Sequence, residues 1–277
     1  MINSIEFDPA YETIFAQNGL ATFDALFAYS QGQRVNRNER RDVTVLQLPA
    51  KGGGAFFMKR FHCPHLKDML FTFRNFGRPC SQAELEWRNA RTLLDNGIET
   101  YRPVCWGAET WCGIERRSLF VTQKIEGQSL IEFLFERWGA FGASEKEELV
   151  KAMAHFFQKI HRARLSLPDS YLWHLFVMSP IDPQHGYRFA IIDLHRMQIH
   201  AAAPRYAAGN LGALLFSLPD EWFDDRLRQL FLDTYLEPSN GLSLDCRDAF
   251  LNTLRRRQTL LTARRQKPSL DHLRHLA

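Results

Sequence analysis

Two short apolar runs, Leu175–Met178 and residues 187–192, flank the turn-forming segment Ser179-Pro180-Ile181-Asp182-Pro183-Gln184-His185-Gly186, and this pattern constrains the chain most. Such runs pair as an antiparallel hairpin, which sets the residues before the first strand beside those after the second. Asp169 and His174 come just before it and Asp193 just after it. Groups up to 24 positions apart (193 − 169), each able to move a proton or hold a cation, therefore converge at one end of the hairpin. An aspartate that ends Phe189-Ala190-Ile191-Ile192 is a costly neighbour for a core unless it has a partner or a task.

The first half carries a second hairpin signature. Residues 43–48 (VTVLQL) form a β-branched run, Lys51-Gly52-Gly53-Gly54 a turn, and residues 55–61 (AFFMKRF) a strand bearing Lys59. Residues 81–96 read as a helix, with Ser81 as N-cap, Glu84 completing a capping box and Asn96-Gly97 as the stop. Residues 119–122 are a further apolar strand, and the polar stretch 123–128, with Gly127, reads as a hinge. Beyond it the pattern turns helical. Ser144 and Glu147 suggest a capping box, Leu149, Met153, Phe156, Phe157 and Ile160 fall on one helical face, and residues from Asn210 onward read as helices. The expected fold is α+β and two-lobed: a strand-rich lobe over residues 1–127 and a helical lobe over 128–277, together one catalytic unit. A chain of 277 residues is long enough for two such cores.

Composition narrows the classes. Hydrophobic residues at 45% and charged residues at 24% exclude a disordered or fibrous chain. The five cysteines (Cys63, Cys80, Cys105, Cys112, Cys246) show no zinc-ligand spacing, and their odd number points to reduced thiols in a cytosolic compartment. Residues 1–10 include Glu6 and Asp8 and lack a basic leader, and no run is long enough to span a bilayer, so a cytoplasmic protein, soluble or peripheral, is expected. The net charge of +4 is concentrated in residues 59–78 and 255–267, with no nucleic-acid recognition motif beside it, so nucleic acid is not an expected partner.

Phosphoryl transfer suits the convergent groups, since it needs a cation on the nucleotide phosphates, a carboxylate for magnesium and a base at the acceptor hydroxyl. Lys59 supplies the cation, fixed by an acid of the 81–96 helix, Glu86 first and Glu84 second. Asp193 suits Mg2+, which prefers oxygen ligands, and Asp169 suits the base. Singly, each has a plainer reading: a solvated lysine, an exposed acid, an Asx turn, a core histidine.

The order lysine strand, glutamate helix, hinge, long helix, Asp169 loop, hairpin and Asp193 resembles the protein-kinase arrangement. The strings Phe57-Met58-Lys59-Arg60-Phe61, Glu84-Leu85-Glu86-Trp87-Arg88, Asp169-Ser170-Tyr171-Leu172-Trp173-His174 and Ile191-Ile192-Asp193-Leu194-His195-Arg196 resemble, more particularly, the lipopolysaccharide kinase family, which phosphorylates heptose or Kdo sugars. The likeness spans about residues 43–212. It implies a kinase that uses ATP and Mg2+, with ATP between the lobes and adenine against backbone groups from Gln123 to Ile125. It implies that Lys59 pairs with the phosphates, that Asp169 is the base and that Asp193 holds magnesium. His174 stands where protein kinases place a magnesium-binding asparagine; because imidazole suits magnesium poorly, it is expected to hold the loop or bind substrate.

Two departures from the family pattern stand out. Leu167 and Pro168 replace the histidine and arginine that precede the aspartate, and residues 32–42 carry Arg34, Arg37, Arg40 and Arg41 in place of a glycine-rich loop. Guanidinium groups, Arg37 among them, are then the phosphate ligands to expect there. The acceptor implied is lipopolysaccharide core or a lipid-linked sugar, and the basic, aromatic stretch 61–78 suggests peripheral contact with an anionic inner membrane. Two alternatives stay open: an inactive kinase-like protein that binds nucleotide or lipid, and a kinase for another small molecule.

Overall fold

The computed structural model describes residues 2–37, 40–48, 54–62, 64, 66–181, 186–237 and 244–275. It divides into two compact units, Met1–Asp95 with Tyr101–Lys124, and Asn96–Thr100 with Ile125–Ala277.

The first unit runs β1 (Ile2–Phe7), α1 (Pro9–Gln17), α2 (Phe23–Ala28), β2 (Gln33–Arg37), β3 (Arg41–Gln47), β4 (Ala55–His62), α3 (Leu66–Phe76), α4 (Gln82–Asp95), β5 (Pro103–Trp111) and β6 (Ile114–Gln123). Its strands form one antiparallel sheet in the order β1-β5-β6-β4-β3-β2. On β4 the side chains alternate between faces: Phe56 and Met58 join a core with Phe15, Phe23 and Leu26 of the first two helices, and Lys59 takes the opposite face. β3 and β4 are the strands expected from the sequence, β4 reaching His62; the turn at residues 51–53 lies outside the described residues.

Beside that core is a charged cluster. Arg60, nearly inaccessible, donates to Asp42 Oδ1 at 2.9 Å and to the Phe27 and Tyr29 carbonyls, each at 2.9 Å. Asp42 Oδ2 also takes a hydrogen bond from His62 at 2.8 Å. Burial alone would raise the Asp42 carboxyl, but the bonds from His62 and Arg60 together hold it below its ordinary value.

The second unit contains β7 (Gly127–Ser129), α5 (Leu130–Arg137), α6 (Ala143–Arg162), β8 (Leu175–Met178), β9 (Phe189–Ile191), α7 (Pro204–Ser217), α8 (Asp225–Tyr235), α9 (Leu244–Thr262) and α10 (Leu270–Arg274). Its small sheet has the order β7-β8-β9, α7 packs on α9, and α6 packs on α8. The expected second hairpin is present, with Leu175 opposite Ile191 and Val177 opposite Phe189. Residues 182–185 of its loop lie outside the described residues.

The second unit claims Asn96–Thr100 for a physical reason: Glu99 bridges Ala190 in parallel, its carbonyl accepts from Ile191 N at 3.1 Å, and the Thr100 hydroxyl donates to Ile191 O at 2.6 Å. Splitting each lobe at one position near Gly127 misses this excursion.

Three local expectations need correction. α6 starts at Ala143, one residue before Ser144, because the Glu145 carboxylate accepts from Gly142 N at 2.8 Å; Glu147 pairs instead with Arg226. The Ser81 box is one-sided: Ser81 Oγ accepts from Glu84 N at 3.1 Å, but the Glu84 carboxylate turns to Arg78 and Arg88. β9 is only three residues long; Ile192 N still bonds to His174 O at 2.9 Å in the register of the hairpin, and the chain leaves that register at Asp193, whose φ is 63°.

Candidate active site

In the first unit, Lys59 Nζ lies 2.7 and 2.8 Å from the two carboxylate oxygens of Glu86 on α4, and Glu86 Oε2 accepts from the Tyr101 hydroxyl at 3.3 Å. Glu86 is only 1% exposed, far from the solvated acid that a lone helical glutamate suggests. α4 is pinned at its start, where Gln82 N donates to Glu115 Oε2 at 3.0 Å and Ala83 N to Ser118 Oγ at 3.3 Å. Both acceptors sit on β6, and β6 also sets Phe120 opposite Lys59, so one strand fixes the register of lysine and glutamate together.

The other first-unit candidates are less informative. Gln123 Oε1 accepts from the Tyr11 hydroxyl at 2.8 Å, and the amides of Gln123 and Lys124 donate to Arg102 O and Ala55 O. Arg37 pairs through its backbone with Asp42, and its side chain lies outside the described residues.

In the second unit the hairpin gathers the three groups that the sequence placed at its end. His174 Nδ1 donates to Asp169 O at 2.7 Å, which turns Nε2 toward Asp193, whose Oδ2 is 3.6 Å away. Asp193 Oδ1 accepts from His195 Nδ1 at 2.6 Å. Asp193 is in the left-handed region (φ 63°, ψ 64°), a conformation that aspartate tolerates better than most residues and that ends the strand abruptly. Arg196 Nη1 reaches both oxygens of Asp169, at 3.1 and 3.4 Å. Ile125 stands at the first residue of this unit's long segment, its carbonyl accepting from Gly127 N at 3.0 Å.

The donors near Asp193 differ in how well they suit magnesium. A carboxylate supplies the hard oxygen that ion prefers, whereas the imidazole of His174 does not, and its Nδ1 is already committed to the loop. Among the described residues no three or more His, Cys, Asp or Glu gather as a metal site. Of these groups, the Asp193 carboxylate is the one whose chemistry would fit such a cation.

Sequence reasoning passed over Tyr101, His195 and Arg196. The last two lie inside the Ile191-Ile192-Asp193-Leu194-His195-Arg196 string, so their position was in view; a contact with Asp169, 27 positions back (196 − 169), was not. Tyr101 gave no signal beyond being aromatic.

Known proteins supply the rest. The model of the lipopolysaccharide kinase (Kdo/WaaP) family matches residues 27–235. The lipopolysaccharide core heptose(I) kinase WaaP of Pseudomonas aeruginosa is 28% identical over 79% of this chain and 81% of its own length. The enzyme of the same name from Escherichia coli K12 is 25% identical over 55% of this chain and 59% of its own. A solved structure described as WaaP in complex with acyl carrier protein superposes with a TM-score of 0.68 at 24% identity, covering 94% of this chain and 99% of that one. The fold is kinase-like, and the chain is a phosphotransferase that belongs to the lipopolysaccharide kinase (Kdo/WaaP) family.

Proposed function

We propose that the chain is an ATP-dependent kinase that phosphorylates a sugar hydroxyl of the lipopolysaccharide inner core, heptose before Kdo. The observation that carries the reading is the second-unit constellation: Asp169 held by Arg196, its carbonyl tied to His174, and His174 facing Asp193. Heptose is preferred because the curated relatives are named as heptose(I) kinases.

Asp169 accepts the proton of the acceptor hydroxyl as its oxygen forms a bond to the γ-phosphorus and the bond from that phosphorus to the β-phosphate bridging oxygen breaks, releasing ADP. Arg196 keeps the carboxylate aimed. Lys59, oriented by Glu86, pairs with the nucleotide phosphates, and Arg37 is a further phosphate ligand. Since the Gln123 and Lys124 amides are already bonded, Ile125 is the better backbone partner for adenine. Asp193 would hold Mg2+, which offsets charge on the phosphates when bound.

Among the described residues no helix is long and apolar enough to cross a membrane. The membrane-borne acceptor and the basic stretch 61–78 support a cytoplasmic protein in peripheral contact with the anionic inner membrane. The solved relative is described in complex with acyl carrier protein, so such a carrier is a partner to test by co-purification.

The test is transfer of labelled γ-phosphate from ATP to purified lipopolysaccharide core, comparing wild type with Asp169→Ala and Asp193→Ala at matched folding. Both variants are expected to lose about a thousandfold or more, the scale for removing a group that acts on the reacting atoms. A folded, ATP-binding wild type that transfers nothing to any acceptor would point to the binding-protein alternative, and transfer to another small molecule would move the substrate.

A further inference from the structure

α7 is buried along most of its length, and its inward side is apolar apart from Asn210 and Ser217, which are 2% and 0% exposed. They are seven residues apart (217 − 210), close to two helical turns, and so share one stripe. Each accepts a backbone N–H from the loop that carries Asp169: Asn210 Oδ1 from Leu167 N and Ser217 Oγ from Leu172 N, both at 2.8 Å. Asn210 Nδ2 also donates to Ser166 Oγ at 3.1 Å, and the Ser217 hydroxyl donates to Leu214 O at 2.6 Å. The loop is gripped two residues before Asp169 and three residues after it. A polar side chain buried on a helix is costly unless it is bonded, and these two are bonded to the same loop.

The Asn210 amide is itself fixed. The Leu167 N–H can only donate, so the atom facing it is Oδ1; His161 Nε2, 3.2 Å from that oxygen, must carry a proton. Nδ1 of the neutral ring then accepts from the Tyr235 hydroxyl at 2.8 Å. Burial pushes the Tyr235 phenol up and the His161 imidazole down to about 4, so both stay neutral and every proton in the chain points from Tyr235 through His161 to Asn210. Both residues border a cavity of about 230 Å³, but its amide, Gln158, is already spent on the Thr234 and Tyr235 carbonyls, so the polar lining serves the fold.

We infer that Asn210 and Ser217 are positioning residues that set the Asp169 loop from α7, with His161 and Tyr235 fixing the Asn210 amide. They take over the support that Leu167 and Pro168, having no polar side chain, cannot give from inside the loop. The inference rests on the reading of Asp169 as the base.

The experiment measures kcat and the KM for ATP on lipopolysaccharide core for full-length Asn210→Ala, Asn210→Asp, Ser217→Ala and Asp169→Ala, each well below its own melting temperature. Asn210→Ala should lose about a hundredfold in kcat, the scale for a base displaced by about an ångström, with KM for ATP changed by less than about threefold. Asn210→Asp should recover most of that kcat, because a carboxylate accepts from Leu167 N, His161 and a rotated Ser166 hydroxyl. Ser217→Ala should lose about tenfold, again in kcat, and it carries the test should Asn210→Ala fail to fold. A wild-type kcat in Asn210→Ala or Ser217→Ala beside an inactive Asp169→Ala overturns the positioning role alone. So does an Asn210→Asp as impaired as Asn210→Ala. An active Asp169→Ala overturns the assignment of the base, and the inference with it.

Discussion

Lys59 and Asp169 are each held by a helix of their own unit, α4 for the lysine and α7 for the aspartate's loop, and the two helices hold by opposite chemistry. α4 reaches the lysine side chain itself with the carboxylate of Glu86, a charge nearly without solvent that the ammonium and one phenol satisfy. α7 grips backbone N–H groups on either side of the aspartate with two neutral groups, while the carboxylate is left to the half-exposed Arg196. A lysine needs its charge compensated because its flexible stem has no other means of being aimed. A loop needs its backbone fixed, and a neutral acceptor does that without adding a second negative charge beside the carboxylate. Ionic support serves where a charged side chain is itself aimed, as Glu86 aims Lys59 and Arg196 aims Asp169, and neutral support where the backbone beside a charge is held.

The largest expected effect comes from charge alone. Glu86→Gln keeps the shape and removes the charge; kcat/KM should fall by about a hundredfold, near 3 kcal/mol of transition-state stabilisation, because Lys59 loses its anchor. Asn210→Asp keeps the shape and adds a charge, with a much smaller loss. Steady-state kinetics on the pair decides the matter: a silent Glu86→Gln would mean that packing, and not the ion pair, aims the lysine.

Much of this was legible in the sequence, and the unread part has a common cause. Strands with strong β-branched or alternating patterns, and the hairpin that ends at Asp193, follow from local chemistry, so the convergence of Asp169, His174 and Asp193 was within reach. The 81–96 helix was read to within a residue because Ser81 caps it. The α6 start was misplaced because Gly142 and Glu145 form the bond that Ser144 and Glu147 merely resemble in spacing. The first two helices and β1 and β5 were not read at all. Arg196, Asn210 and Ser217 act on Asp169 or its loop across separations that no local pattern encodes, since a lone asparagine in an apolar helix announces a buried bond without naming its partner.

Acid should separate the two units next. His161 has a folded value of about 4 against an ordinary 6.5, so between those limits the unfolded chain binds a proton that the native chain refuses, and stability rises with pH across the window. Lowering pH from 6.5 toward 4 should therefore cost on the order of 2 kcal/mol, allowing for the ring's place at a cavity wall. Asp42 acts lower down. Its depressed carboxyl gives stability above the ordinary 3.8 that is lost as pH falls beneath it. Denaturant unfolding at stepped pH should show the first loss vanish in His161→Gln and the second persist; a wild-type slope in His161→Gln would mean that the imidazole is already charged in the native state.

The smallest effect tests how α4 is aimed. Ser118→Ala removes the acceptor that Ala83 N uses at the start of the helix, in a place where Ser118 is fully buried and water cannot readily substitute. Stability should drop by about 1 kcal/mol, the cost of one backbone donor left unmet. Because Glu115 still accepts from Gln82 N, the helix stays seated and Glu86 keeps its lysine, so kcat/KM should change by no more than about threefold. A large kinetic loss with little loss of stability would reverse that order, and would show that the ion pair depends on the helix terminus more than on its own two charges.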